Sequence, residues 1–255
     1  MSPLYTLAVL FFITAILYSS VGFGGGSTYT ALLVLSGTHY ALIPILSLSC
    51  NIIVVSGNVS FALRNRLLDW RAALPLIALS VPLSFLAGAL PINETVFIAL
   101  LAAMLFLAGL QMLLGRPSHD LQTGKPRRAK STPLAMITGG VLGFLSGLVG
   151  IGGGIFLAPV LHILNWTSAR KIAAICSLFI LVNSLAGLAG QLTKFEASAD
   201  ALDLLKFWPL LLAVFLGGLI GRRFSFQFLS ERMIKRLTAI LILVVSIRLG
   251  FSLLG

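Results

Sequence analysis

Long uncharged runs limit the fold of this chain more strongly than any other feature of its sequence. Residues 4–20, 41–63, 72–90 and 95–114 contain no Lys, Arg, Asp or Glu. A helix that spans a bilayer needs about 20 consecutive apolar residues, and each of these runs is close to that length. Only 10% of the residues are charged, whereas a soluble domain has about 25%. The sequence therefore predicts an all-α polytopic membrane protein embedded in the lipid bilayer.

The distribution of basic residues accounts for the formal net charge of +11 without a nucleic acid partner. These residues fall in short clusters between the apolar runs, at 64–71, 116–130, 170–171 and 222–236. Such clusters are typical of cytoplasmic loops, which carry an excess of Lys and Arg and face anionic lipid. We therefore expect no nucleic acid binding.

A glycine-rich motif occurs twice and indicates that the chain is a duplication. The segment "VGFGGGS" at residues 21–27 returns as "VGIGGGI" at residues 149–155. At the same spacing, Ser49 corresponds to Ser177. A fixed spacing between similar segments is the signature of internal repeats.

The duplication predicts the domain organisation. The N-terminal transmembrane repeat covers residues 1–115 and the C-terminal transmembrane repeat covers residues 134–255. A basic cytoplasmic linker, residues 116–133, joins them. Each repeat is expected to hold a helix pair interrupted by the glycine motif, with a short second helix, followed by three longer membrane helices.

The short helices decide between topologies with eight and ten membrane segments. If they do not cross the bilayer, the two repeats are parallel; if they do, the repeats are inverted. Ten crossings place the basic loop 222–236 in the cytoplasm and the loop 194–206, in which carboxylates outnumber basic residues, outside. The positive-inside rule therefore favours the inverted arrangement, and eight parallel crossings are the alternative.

The apolar runs lack the residues of most enzyme sites. They hold no paired carboxylates, no Ser/His/Asp arrangement, no His/Cys metal-ligand spacing and no phosphate-binding loop. We therefore expect no catalytic activity, no cofactor and no metal. The carboxylate relay of many proton-coupled transporters is missing as well.

The glycine motifs and nearby small polar residues are the candidate substrate site. A break in a helix frees backbone N–H groups, and the helix that restarts after it directs the positive end of its dipole at the break. Consecutive free N–H groups can bind an anion, and transporters with broken helices place substrate where two breaks meet. The predicted substrate-binding residues are Gly24, Gly25, Gly26, Ser27, Ser49, Asn51, Gly152, Gly153, Gly154, Ser177 and Asn183.

A second interpretation assigns the glycines to helix packing alone, which would make the protein a non-transporting membrane scaffold or assembly factor. Packing glycines recur every four residues, as at Gly217 and Gly221. Three consecutive glycines point all round a helix instead, which favours the substrate site. Cys50 and Cys176 are expected to fill space as small apolar residues, with contact to a sulfur-containing substrate as the alternative.

Several segments resemble the TauE/SafE family of sulfite exporters, also called the toluene-sulfonate uptake permease group. They are the two glycine motifs, "ARKIAAICSLFILVNSLAG" at residues 169–187 and "RLLDW" at residues 66–70. The resemblance implies a multi-pass permease of the cytoplasmic (inner) cell membrane. Its substrates would be small sulfur-containing anions, such as sulfite or sulfonates like sulfoacetate. The particular anion, the direction of transport, any coupling ion and the oligomeric state stay open.

Overall fold

The computed structural model describes residues 3–20, 22–114, 132–163, 166–194, 204–223 and 231–252. All but the last two residues of the predicted linker 116–133 lie outside them. Ten helices of ten residues or more make up the described bundle, with no strand in it, which confirms the all-α prediction. They are α1 (Pro3–Ser20), α2 (Gly26–Leu35), α3 (Leu42–Arg64), α4 (Trp70–Ala89), α5 (Glu94–Leu114), α6 (Thr132–Val149), α7 (Gly154–Ile163), α8 (Ala169–Leu192), α9 (Trp208–Arg223) and α10 (Glu231–Ser252).

Helix length separates two classes of membrane segment in the described residues. Four segments are long and apolar enough to cross a bilayer by themselves: Leu42–Arg64, Trp70–Ala89, Glu94–Leu114 and Arg170–Leu192. The shorter apolar helices are Leu4–Ser20, Gly26–Leu35, Pro133–Val149 and Ala239–Phe251. Three of these shorter helices adjoin a glycine motif, so a local break limits their length.

Both glycine motifs interrupt the helix, as predicted. α1 ends at Ser20 and α2 begins at Gly26, and between them Gly22 and Gly25 both have a φ of 84°. L-residues rarely adopt this left-handed conformation, whereas glycine does so at no steric cost. The second motif repeats the pattern, with positive φ at Gly150, Gly152 and Gly153.

Much of the helix packing runs between the two halves of the chain. α1 packs along α9, and α6 packs along α4. α3 contacts α9 as α8 contacts α4, and the corresponding helices α3 and α8, and α5 and α10, contact each other. Exchanging the two halves converts α1–α9 into α6–α4 and α3–α9 into α8–α4, and it leaves α3–α8 and α5–α10 unchanged.

The directions of α3 and α9 distinguish the two topologies. Val54 of α3 lies against Gly218 of α9, and Gly57, further along α3, lies against Arg222, further along α9. The two helices are therefore parallel. Ten crossings give them this relation, whereas eight crossings would make them antiparallel.

The relative direction of α5 and α10 also fits ten crossings. The Ser246 hydroxyl of α10 donates to the Ala102 carbonyl oxygen of α5 over 2.8 Å, and Gly109, later in α5, lies against Leu243, earlier in α10. These helices are antiparallel, as inverted repeats require, whereas eight parallel crossings would make them parallel. The duplication itself and the sidedness in the membrane stay predictions.

Small residues bring the paired helices of the two halves close together. Gly139, Gly143 and Gly147 of α6 face the backbone of α4, and Gly217 and Gly221 of α9 face the backbone of α1. A side chain at any of these positions would overlap a carbonyl oxygen of the neighbouring helix. This confirms that Gly217 and Gly221 serve packing.

Candidate functional site

The two glycine breaks meet beside one side chain, the amide of Asn51. This residue lies near the middle of α3, is fully buried and donates from Nδ2 to the Ile151 carbonyl oxygen over 3.3 Å. A Cβ on Gly24 would come within 2.5 Å of its Oδ1, and one on Gly152 within 2.7 Å of its Nδ2. Gly26 faces both the same amide and the Ile151 carbonyl. The sequence predicted that the breaks come together, and the structure places them in contact.

The short helix α2 starts at this meeting point and returns along α3. Its first residue, Gly26, faces Asn51, and one turn later the Thr30 hydroxyl donates to Ser47 over 3.0 Å. Ser47, one turn before Asn51 in α3, also donates to the Gly26 carbonyl over 3.1 Å. α2 therefore runs from the middle of α3 back toward its beginning. At ten residues and about 1.5 Å per residue, it covers about half of a bilayer core.

The first break is also held by a helix of the second half. Ser177 of α8 is buried, and its hydroxyl donates to the carbonyl oxygen of Gly22 as well as to that of Ala173 over 2.9 Å. In the second break, Gly150 packs against Pro44 of α3. Each break therefore contacts a long helix from the other half.

Buried backbone N–H groups without partners are the unusual chemistry of this place. Within the described part of the chain, no hydrogen bond is formed by the amides of two consecutive sets, residues 24–27 and 151–153. Both sets are buried. A buried amide without a partner is costly, and more than nine in ten buried backbone groups are paired. Neither break therefore supplies a hydrogen-bond acceptor for these seven N–H groups.

Two helix N-termini add a positive potential at the same point. α2 begins at Gly26, within the first set of unpaired amides, and α7 begins at Gly154, directly after the second set. Each N-terminus corresponds to about half an elementary positive charge. The breaks therefore combine donors with a positive electrostatic potential, an arrangement suited to a small anion.

Several buried polar side chains of the bundle have no partner among the described residues, and two of them, Asn51 and Ser146, adjoin the breaks. The Oδ1 atoms of Asn51 and Asn183 and the hydroxyls of Ser146 and Ser184 are buried and have no partner among the described residues. Ser146 lies beside Gly153 of the second break. Hydroxyl groups can rotate to donate to an anion, and a carboxamide can turn its NH₂ toward one.

Two of the predicted residues are placed differently from the others. Ser49 is half-buried, and its hydroxyl donates to the Ile45 carbonyl of its own helix over 2.8 Å. The Asn183 amide likewise donates to Phe179, one turn earlier, over 2.8 Å. Ser27 is buried in the first turn of α2, beside the first break. A substrate-binding role for each of these residues stays a prediction.

Sequence reasoning did not select Asn58, although it touches the first break. Its Nδ2 donates to the Phe23 carbonyl over 3.4 Å, and its Oδ1 accepts from Ser19 over 3.3 Å. The signal was the spacing of Ser47, Asn51 and Asn58, which follow one another at four and seven residues on one face of α3. This polar stripe faces the first break along its length.

The two cysteines are buried in apolar surroundings, and the described residues hold no cluster of metal-binding side chains. Cys50 and Cys176 are free thiols, both fully buried within apolar clusters, as the filler interpretation expects. Among the described residues, no group of three or more His, Cys, Asp or Glu side chains is arranged to hold a metal ion.

A polytopic helical bundle in which two broken helices meet has the architecture of a membrane transporter. The chain belongs to the TauE/SafE family, described as sulfite exporter TauE/SafE, whose sequence pattern matches residues 7–249. A probable membrane transporter protein of Sinorhizobium fredii is 34% identical over 245 residues, covering 95% of this chain and 96% of the relative. Another probable membrane transporter protein, from Methanocaldococcus jannaschii, is 27% identical over 199 residues, covering 73% and 72%. No solved structure matches the chain significantly.

Proposed function

We propose that this protein is a permease of the cell membrane that moves small sulfur-containing anions, sulfite or sulfonates such as sulfoacetate. The substrate binds where the two glycine breaks meet. The observation that carries the proposal is the pair of buried amide sets at residues 24–27 and 151–153, which have no partner in the described chain. A bound oxyanion would satisfy them.

The charge distribution supports an anion over a cation. The six helices that meet at the breaks, α1, α2, α3, α6, α7 and α8, contain no Asp or Glu. A site for a desolvated cation needs carboxylates or a ring of carbonyl oxygens, whereas amides and helix N-termini suit an anion. Sulfite and sulfonates present three oxygens at one end, which matches a set of donors arriving from two sides.

The membrane potential sets the direction of an uncoupled flux. When the inside of the cell is negative, the electrical free energy of an anion falls by about 2.3 kcal/mol per charge per 100 mV as it leaves the cell. An uncoupled permease therefore favours export. This direction agrees with the exporter description of the family.

Flux of radiolabelled sulfite and sulfoacetate into proteoliposomes tests the proposal, with Asn51→Asp as the diagnostic variant. This change keeps the volume of Asn51 but adds a negative charge between the breaks, so flux should fall at least tenfold. Asn93→Asp is the matched control, because Asn93 is exposed and its Oδ1 accepts from Val96 N–H, as a carboxylate also does.

The scaffold interpretation is tested by the same assay. Its support is the close packing of Gly26 on Ile151 and Asn51, which accounts for a glycine without any substrate. It does not account for the unpaired amides. If the folded wild-type protein moves neither anion under an applied gradient, the transport proposal fails and the scaffold interpretation stands.

A further inference from the structure

A cavity of about 430 Å³ opens between the ends of α3 and α9, and no residue of either glycine break lines it. Its lining includes Gly57, Ser60, Arg64, Arg222 and Arg223. Neither Arg64 nor the other two arginines form an ion pair within the residues that the structure describes. Within the described residues, three guanidinium groups therefore line one cavity without a carboxylate among its lining residues.

Gly57 makes room for Arg222 by lacking a side chain. The guanidinium group of Arg222 occupies the space that a Cβ on Gly57 would fill. Arg222 is half-buried in this position, whereas Arg64 and Arg223 are exposed at the mouth of the cavity. The cavity therefore has one inner arginine and two outer ones.

The cavity lies next to the first break along α3. Asn58 directly follows Gly57 and donates to the Phe23 carbonyl inside the break. From Gly57 to Asn51, six residues at about 1.5 Å each give about 9 Å along the helix. An anion at the inner arginine is therefore only a short step from the unpaired amides.

The corresponding place at the other end of the bundle is closed. If the halves are exchanged, α3 and α9 become α8 and α4, and these two helices meet through Gly190 and Gly88. A Cβ on Gly190 would come 2.9 Å from the Ala89 nitrogen and 3.1 Å from the Gly88 carbonyl carbon. The backbones touch there, so the arginine-lined space exists at the α3–α9 end and has no counterpart between α4 and α8.

We propose that Arg64, Arg222 and Arg223 form a capture site for the transported oxyanion, which passes from Arg222 to the amides of the first break. The proposal rests on the transport function argued above. Guanidinium groups bind oxyanions through paired N–H donors, and a cavity lined by one sign of charge concentrates its counter-ion. The predicted topology places this end in the cytoplasm, where an exported anion is collected.

The diagnostic variant is Arg222→Gln, assayed by initial rates of sulfite flux in vesicles of phosphatidylcholine. Losing one charge-assisted hydrogen bond should raise the KM about tenfold with little change in maximal rate. Gly57→Ala should raise the KM in the same way, because the added Cβ displaces the guanidinium group. Arg71→Gln is the matched control, since Arg71 is exposed in the first turn of α4, loses the same charge and does not line the cavity.

A phosphate headgroup of an anionic lipid has the same chemistry as the proposed ligand, so the assay is repeated in vesicles containing phosphatidylglycerol. A KM effect in both lipids supports capture of the solute. An effect only in the anionic vesicles identifies a lipid site and overturns the proposal. So does a wild-type KM in both Arg222→Gln and Gly57→Ala.

The two proposals fail in different ways. If the wild-type protein carries no flux, the transport function and the capture site fall together. If the wild-type protein carries flux and both Arg222→Gln and Gly57→Ala keep the wild-type KM, the capture site alone is refuted. Size-exclusion elution and thermal unfolding confirm that each variant is folded before its rates are compared.

Discussion

The carboxamide of Asn51 joins the two halves of this protein by donating to the backbone carbonyl of Ile151 over 3.3 Å. The donor lies at the middle of a long helix of the first half, and the acceptor lies in the glycine break of the second. Because the other polar carboxamide atom, Oδ1, is buried without a partner among the described residues, this contact uses only part of the bonding capacity of Asn51.

Replacing Asn51 with Ala should weaken the whole bundle. The Ile151 carbonyl would lose a buried donor, which costs about 1–3 kcal/mol. Thermal unfolding in detergent measures the loss. Asn65→Ala is the control, since Asn65 is exposed and, within the described residues, its side chain bonds only to the Phe61 carbonyl of the adjoining helix. Equal unfolding temperatures for the two variants would contradict a joining role for Asn51.

Gly26→Ala should separate the two breaks. The new methyl group would overlap the Ile151 carbonyl and the Asn51 amide, and overpacking of this kind costs about 1–3 kcal/mol. We expect lower stability together with loss of sulfite flux.

Gly250→Ala should stabilise the protein, in contrast to Gly26→Ala. Gly250 lies in α10 with open space around it, so alanine should stabilise the helix by up to about 1 kcal/mol. A destabilised Gly250→Ala would show that alanine is harmful in this bundle for reasons other than the contact between the breaks.

Ser177→Ala and Ser49→Ala should behave differently, although the two serines correspond in the predicted repeats. Ser177 donates to the Gly22 carbonyl in the first break, whereas Ser49, among the residues that the structure describes, donates to the Ile45 carbonyl of its own helix alone. Removing Ser177 should cost about 1 kcal/mol and reduce flux, while removing Ser49 should be nearly neutral. Flux and unfolding temperature are measured side by side for the two variants. Equal losses would contradict this difference and support the predicted site role of Ser49.

Cysteine labelling in intact cells tests the ten-segment topology. A cysteine at position 198, in the segment 194–206 that the topology predicts to be external, should react with an impermeant maleimide from outside. A cysteine replacing Ser60, exposed near the end of α3, should react only after the cytoplasmic side is opened. The two native cysteines are buried and give little background. Labelling of position 198 from the cytoplasm alone would favour eight crossings.

The backbone features of the candidate site could be predicted from the sequence. Consecutive glycines at positions 24–26 and 152–154 disfavour a continuous helix in an apolar run, and their matching positions indicated that the breaks meet. The periodicity of Gly217 and Gly221 identified a packing face. These properties follow from local conformation, which residue types determine directly.

The side-chain contacts could not be predicted in the same way. Whether a serine donates to its own helix or to a neighbour depends on which helix lies opposite, and Ser49 and Ser177 differ for that reason. The capture cavity was equally hidden, because Gly57 and Arg222 belong to different halves and meet only after α3 and α9 lie side by side.

The pairing of α1 with α9 has a consequence for biosynthesis. Ser19 donates to the Gly218 carbonyl, and these residues lie 199 positions apart in the chain. At about 5–20 residues per second, a ribosome needs at least about ten seconds between inserting α1 and completing its partner. Throughout that interval the interface of α1 that later receives Gly217 and Gly221 faces lipid or another helix. Neither half can assemble its final contacts alone. Each half expressed by itself should therefore be degraded, whereas the two halves expressed together should protect each other from degradation.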